Sequence, residues 1–225
     1  AEVWPYAVQQ KGSGEAWVAD QICHDLDTVG LKNDRIIVKT DQEIAIRDLA
    51  QTIAQARSDT HGTAIENSAV GDSDSHGTVE RAIQDVLGQV RTLRSALEFR
   101  LGTRVKLHDP VVPWLVRHAA HLITRTWIRP NGRTSWQLMK GRRSNGELVP
   151  LGERVLFRVP HASKKPGKFE EQWEFGVYLG FVIRSGESLV GTSGGVFKVS
   201  SLRRRPLNER WSKDLLDSVA GSPET

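Results

Sequence analysis

The hydrophobic pattern of this 225-residue chain changes period near Leu148, and no other feature restricts its fold so strongly. Upstream, apolar residues recur at spacings of three and four; downstream, they alternate. The helical part is clearest over residues 78–101, where Val79, Ile83, Val86, Leu87, Val90, Leu93, Leu97 and Leu101 form a stripe. At 1.5 Å per residue that predicts a core-packing helix about 35 Å long. The other face of this helix carries Glu80, Gln84, Gly88 and Arg91. Downstream, Arg154–Val159 and Trp173–Arg184 alternate, Ser185-Gly186 and Gly194-Gly195 are hairpin turns, and Leu189–Gly191 and Val196–Leu202 complete the set. Roughly five short strands in about sixty residues predict a small β-barrel or sandwich of the SH3-like kind.

Before the long helix the pattern reads β-α-β-α. Residues 2–10 predict a strand, and 15–29 a helix with Val18, Ile22, Leu26 and Val29 on one face and Gly30 at its end. Arg35–Asp41 contains three consecutive β-branched residues after an Asn33-Asp34 turn and predicts a short buried strand. Residues 42–57 return to helical spacing, with Ile46, Leu49, Ala50, Ile53 and Ala54 aligned. This order implies parallel pairing. Thr63–Glu66 is a weak strand, and 70–77 a polar loop. Asp41 admits two readings. It can be a carboxylate held at the end of a strand to meet a metal or ligand, or part of a Thr40-Asp41-Gln42-Glu43 capping box. Helices are expected at 110–126 and 133–139, a basic linker at 140–146, and a disordered tail at 213–225.

Residues 1–100 hold 10 Lys and Arg against 16 Asp and Glu, whereas residues 101–225 hold 21 against 11. An acidic half followed by a basic half suits a metal-holding portion joined to a polyanion-binding portion, although solvated surface charge can also segregate this way. No run of 18 apolar residues exists, so the chain is expected to be soluble and not to span a membrane. The single cysteine, Cys23, excludes an internal disulfide and a cysteine-based zinc cluster. The chain opens at Ala1 without a start methionine or signal peptide, as the cut edge of a polyprotein or truncated reading frame would.

Asp41 and the segment His76-Gly77-Thr78-Val79-Glu80-Arg81 are separated by a mobile polar loop, with 38 residues between Asp41 and Glu80. That arrangement resembles the catalytic core of retroviral and retrotransposon integrases. Thr40-Asp41 is similar to the family's second Asp, and Gly77–Glu80 to its Gly-x-x-Glu segment. Trp114–Ala120 and Thr134–Gly141 are similar to segments that follow the core in retrotransposon integrases, so the resemblance covers nearly the whole chain. It implies an RNase H-like α/β core with an incomplete mixed sheet and trailing helices over residues 1–146. An SH3-like DNA-binding barrel would follow over 147–212. It further implies Mg²⁺-dependent strand transfer at a two-metal site, with Asp41 and Glu80 as catalytic metal ligands. The family's first Asp would precede residue 1, so this portion is expected to be inactive alone. Asp20, Asp25 and Asp27 on a helix are read as solvated charges.

The resemblance also implies partners: element-end and target DNA, other copies of the chain in the parent, and no membrane. The setting would be the nucleus, or the cytoplasm as part of a polyprotein. Candidate nucleic-acid-binding residues are Gln84 and Arg91 on the long helix, and Lys164, Lys165, Lys168, Arg203, Arg204 and Arg205 on the barrel, around Trp173, Tyr178 and Phe197. Each has a plainer reading, a wet helix face or a solvated rim over an aromatic core. The competing function is a nucleic-acid-binding module without catalysis, a degenerate or co-opted relic.

Overall fold

The computed structural model describes residues 3–8, 11–12, 14–57, 62–67, 73–158, 169 and 171–223. The chain has a mixed α/β N-terminal part with helices, followed by an antiparallel β-sheet part. Two compact units divide between Asp85 and Val86, inside a helix.

In the first unit, α1 (Trp17–Thr28) is followed by β1 (Ile36–Thr40), α2 (Ile44–Ala56) and β2 (Thr63–Asn67). The strands pair in parallel, Ile36 opposite Thr63 through Thr40 opposite Asn67, as the β-α-β order requires. α2 buries Ala50 and Ile53, the inner edge of its apolar face. Arg57, at its end, is buried and ties three segments together. Its Nη2 donates to Leu31 O at 3.0 Å and Asp34 O at 3.1 Å, and its Nε donates to Thr63 Oγ1 at 3.2 Å. Residues 3–8 are not a strand, which corrects the expectation for the N-terminal segment. Tyr6 instead packs edge-on to Trp17 and donates its hydroxyl to Asp25 at 2.8 Å, so Asp25 is not simply solvated. A two-stranded parallel sheet normally lies within a larger, covered one, and here Ile37 remains 67% exposed.

α3 (Ser73–Leu101) begins five residues earlier than expected. Its stripe does not pack throughout. Val79, Ile83 and Leu87 are exposed, whereas Val86 and Leu97 are buried and Leu93 and Leu101 half-covered. Leu93, Leu97 and Leu101, near its C-terminal end, are the stripe residues that join the cluster with Val177, Leu179 and Leu189.

The second unit continues with α4 (Val111–Thr126), α5 (Ser135–Lys140), β3 (Arg154–Arg158), β4 (Trp173–Phe181), β5 (Ser188–Thr192), β6 (Gly195–Val199), β7 (Leu202–Arg204) and α6 (Lys213–Asp217). α5 starts with a capping box between Thr134 and Gln137 and stops at Gly141 in the left-handed conformation. The five strands lie in the order β6-β5-β4-β3-β7, all antiparallel. A four-strand meander whose fifth strand returns to the first is the connectivity of an SH3-like barrel. The single last strand expected at 196–202 is in fact two, β6 and β7, joined through Ser200 and Ser201.

One face of this sheet is buried, and the other is covered over part of its length. The inner one holds Val149, Val155, Phe157, Tyr178, Val190 and Val199. Phe157 stacks on Phe197 at 5.7 Å, and Gly176 makes that possible: a Cβ there would lie 2.3 Å from Val190 Cγ1 and 3.1 Å from Phe157 Cε1. The outer face carries Val177, Leu179 and Leu189 against Leu97, Trp114, Leu115 and Leu216 from the helices and Val219 just after α6. Leu216 and Val219 lie in the segment expected to be a disordered tail. That expectation is corrected, because their apolar side chains complete the core and the backbone of Ala220 donates to Thr192 O at 2.9 Å.

Candidate nucleic-acid interface and acidic pair

Asp41 follows the last residue of β1 and is exposed. It does not act through a Thr40 capping box. The N-cap of α2 is Glu43, without a side-chain cap bond, and Asp41 Oδ1 accepts from the Glu43 N–H at 3.1 Å. Glu43 itself pairs with Lys11 at 3.1 Å, and Lys39 pairs across the strands with Glu66 at 3.4 Å. Glu80 is exposed as the eighth residue of α3, so it does not face the helix dipole from the first turn. Both acids lie in the first unit, and neither forms an ion pair among the described residues. No three His, Cys, Asp or Glu side chains cluster among the described residues. Two carboxylates alone do not fit a two-ion Mg²⁺ site, which needs more hard oxygen ligands. Gln84 and Arg91 are exposed on α3.

The basic face of the sheet differs from three equivalent arginines. Side chains alternate along a strand, so Arg203 and Arg205 share one side of β7 and its continuation while Arg204 points to the other. Arg204 turns inward to Glu153, a fully buried carboxylate: Nε to Oε1 is 2.7 Å and Nη2 to Oε2 is 2.7 Å. Its Nη1 reaches Glu147 Oε1 at 2.5 Å, and hydrogen bonding to Glu153 raises its pKa. These bonds occupy the fork that a phosphate would need, which removes Arg204 from the expected contact set. Arg205 is half-buried and pairs with Glu209. Arg203 is exposed, with its guanidinium 4.4 Å over Trp173. Lys164, Lys165 and Lys168 lie outside the described residues.

The register shows what else shares the face of Arg203. It stands opposite Leu156, which stands opposite Phe175, while Arg158 stands opposite Trp173. Arg154 therefore belongs to this face too, its guanidinium 3.9 Å over Phe175, with Arg205 5.7 Å from the same ring. Stacking on a ring leaves the guanidinium edge free to meet a phosphate, and each contact is worth about 0.5–1 kcal/mol where exposed. Sequence reasoning missed Arg154, Arg158 and Phe175, although the Arg154-x-x-x-Arg158 spacing already puts two arginines on one side of a strand. Tyr178 and Phe197 belong to the inner core and not to this face.

No family model matches the chain, and no curated protein sequence matches it. Among solved structures, it is similar to a chain in the cryo-EM structure of a simian T-cell lymphotropic virus intasome in complex with the PP2A regulatory subunit B56 gamma. The identity is 17%, the TM-score 0.40, and the match covers 88% of this chain and 66% of that one. The chain thus spans just under two thirds of that chain's length.

Proposed function

We propose that this chain is part of a DNA integrase of the retroviral and retrotransposon kind, and that its own contribution is to hold DNA through the antiparallel sheet. The observation that carries the reading is the row of arginines and aromatic rings on one sheet face: Arg154 on Phe175, Arg203 on Trp173, with Arg158 beside them. Guanidinium groups braced on rings suit backbone phosphate contact with little sequence preference. The enzymatic part of the reading rests on the order and spacing of Asp41 and Glu80 and on the strand-end and helix positions they occupy. They are the carboxylates this chain would supply to Mg²⁺ in a completed site. An RNase H-like core, assembly with further copies of the chain and a nuclear setting go with the same reading.

Duplex binding by fluorescence anisotropy tests it. Two unrelated duplexes should bind alike, and affinity should fall steeply with salt, by about 0.9 in log–log slope per phosphate contact. Absence of binding at low salt would sink the proposal. The second reading is a binding module without catalysis, for which the same face of arginines and rings suffices without a metal. Incubating nicked and blunt duplexes with Mg²⁺ or Mn²⁺ separates the two. This chain should show no strand transfer by itself, and gain it only with the carboxylate that completes the site; a binding module gains nothing.

A further inference from the structure

Residues 110–146 contain seven Lys and Arg and no Asp or Glu, although 27 of the chain's 225 residues are acidic. The span covers α4, α5 and the loops on either side of α5. Elsewhere in the second unit cations meet carboxylates: Arg94 pairs with Glu98, Arg204 with Glu153, Arg205 with Glu209 and Lys213 with Asp217. Arg133, Arg142 and Arg143 are exposed and form no ion pair among the described residues. Like charges gathered without counter-charges repel one another and attract a polyanion.

The backbone that carries these three arginines is held in place. The Arg129 N–H donates to Arg133 O at 2.9 Å and the Gly132 N–H to Arg129 O at 2.8 Å, which closes a tight turn before α5. The Thr134–Gln137 capping box fixes the start of α5, and Gly141, with φ of 68°, its end. Arg125 Nη2 donates to Gly146 O at 2.9 Å and so ties the loop after α5 back to α4. The Trp136 ring lies 5.9 Å from that of Phe181, which seats this knob on the last residue of β4.

Position decides what the knob can hold. Arg133 and Arg142 flank α5, a helix of about 9 Å at 1.5 Å per residue, and charges spread over that distance suit a row of phosphates. The arginines stacked on Trp173 and Phe175 stand at the other end of β4. From Trp173 to Phe181 the strand rises roughly 26 Å, at about 3.3 Å per residue. Between the two ends, Val177 and Leu179 lie under Trp114, Leu115 and Leu216. A straight duplex resting on the arginine–ring face and running along β4 would meet those helices, each about 10 Å across, before it reached the knob.

We propose that the α4–α5 knob is a second DNA-binding surface, which takes the phosphates of a duplex other than the one on the sheet face. Arg133, Arg142 and Arg143 supply its contacts. The inference rests on the reading that the sheet face holds DNA, and adds that one chain joins two duplexes.

The experiment mixes the full chain with a biotinylated duplex on beads and a fluorescent duplex of unrelated sequence. The unaltered chain should retain the fluorescent duplex on the beads, and short duplexes should saturate it at two per chain by sedimentation. Replacing Arg133→Ser, Arg142→Ser and Arg143→Ser together should cut the retained fluorescence at least fivefold. That variant should keep its urea midpoint and saturate at one duplex per chain. Saturation of the unaltered chain at one duplex would overturn the proposal and leave the sheet-face reading standing. Bridging that survives in the triple variant would overturn it too, since copies joined to one another would then be the cause. The stoichiometry is read on the unaltered chain, so it decides the matter even where the variant does not fold. A chain that binds no duplex at low salt would instead sink the sheet-face reading itself, and this inference with it.

Discussion

Arg204 and Glu153 form a bidentate pair, both contacts at 2.7 Å, in which the carboxylate is fully buried and the guanidinium half-covered. The pair joins β7 to the turn preceding β3, and Arg210 approaches the same carboxylate at 3.6 Å. Removing one partner of a buried pair leaves the other charge stranded, at a cost of about 3–5 kcal/mol. Arg204→Met should therefore lower the urea midpoint strongly, and Arg204→Met with Glu153→Leu should recover much of the loss. Equal stability of Arg204→Met and the parent would show that the pair is not closed in solution.

Arg203 should behave in the opposite manner. Exposed and resting on Trp173, it has little structural duty. Arg203→Ala should leave the urea midpoint within about 0.5 kcal/mol, weaken binding to unrelated duplexes alike, and reduce the log–log salt slope by about 0.9. A full slope in that variant would place the DNA elsewhere, with the exposed Gln84 and Arg91 of α3 the next positions to replace.

The two α4 histidines make stability depend on pH. Burial, reinforced by Arg125, holds His118 down at about 4. Burial, then Arg117, His118 and Arg125, holds His121 down at about 3. Both ordinarily titrate at 6.5, so below that pH the unfolded chain binds more protons than the folded one. Their contribution is whole above pH 6.5 and is lost as pH falls toward the folded values, by up to about 1.4 kcal/mol per pH unit for each histidine. Urea midpoints in gluconate at pH 7.5 and 5.0 should differ accordingly, and the difference should shrink in His118→Phe.

Deleting residues 213–225 should destabilise the second unit. Leu216 and Val219 are 4% and 6% exposed, and Trp114 Nε1 donates to Gly221 O at 3.3 Å. Full burial of two aliphatic side chains is worth roughly 3–6 kcal/mol, so the truncated chain should unfold at clearly lower urea. An unchanged midpoint would mean the segment is only loosely attached.

Periodicity located β1, α2 and α4 to within about two residues, because each element's own apolar face records its spacing. It erred where neighbours distant in sequence decide. Val3–Val8 alternates like a strand, yet Tyr6 is held by Asp25 and Trp17 rather than by a sheet. Leu216 and Val219 sit in too short a pattern to announce a helix, and only the waiting surface of Leu179 and Gly191 explains them. The acidic pair was legible as an order and a spacing, but Asp41 was open to a cap reading that depended on where α2 begins. The basic face was legible in part: a run of three arginines shows charge, while the two sides of a strand divide it. His118 and His121 gave no signal beyond sharing a helix face, since their burial depends on Gly180 and Phe181 from another part of the chain.

The closing of the outer core by Leu216 and Val219 has a consequence for the order of events on the ribosome. The meander β3–β6 can pair as it emerges, because its contacts are between successive strands. Its outer surface cannot be sealed until the residues after β7 have also left the exit tunnel. For that interval the surface at Leu179 and Gly191 lacks the cover of Leu216 and Val219, while Leu97, Trp114 and Leu115 have already emerged. A chain that has emerged only as far as Ser212 would therefore hold out a paired sheet still lacking Leu216 and Val219, the state in which this protein is most exposed to misassembly.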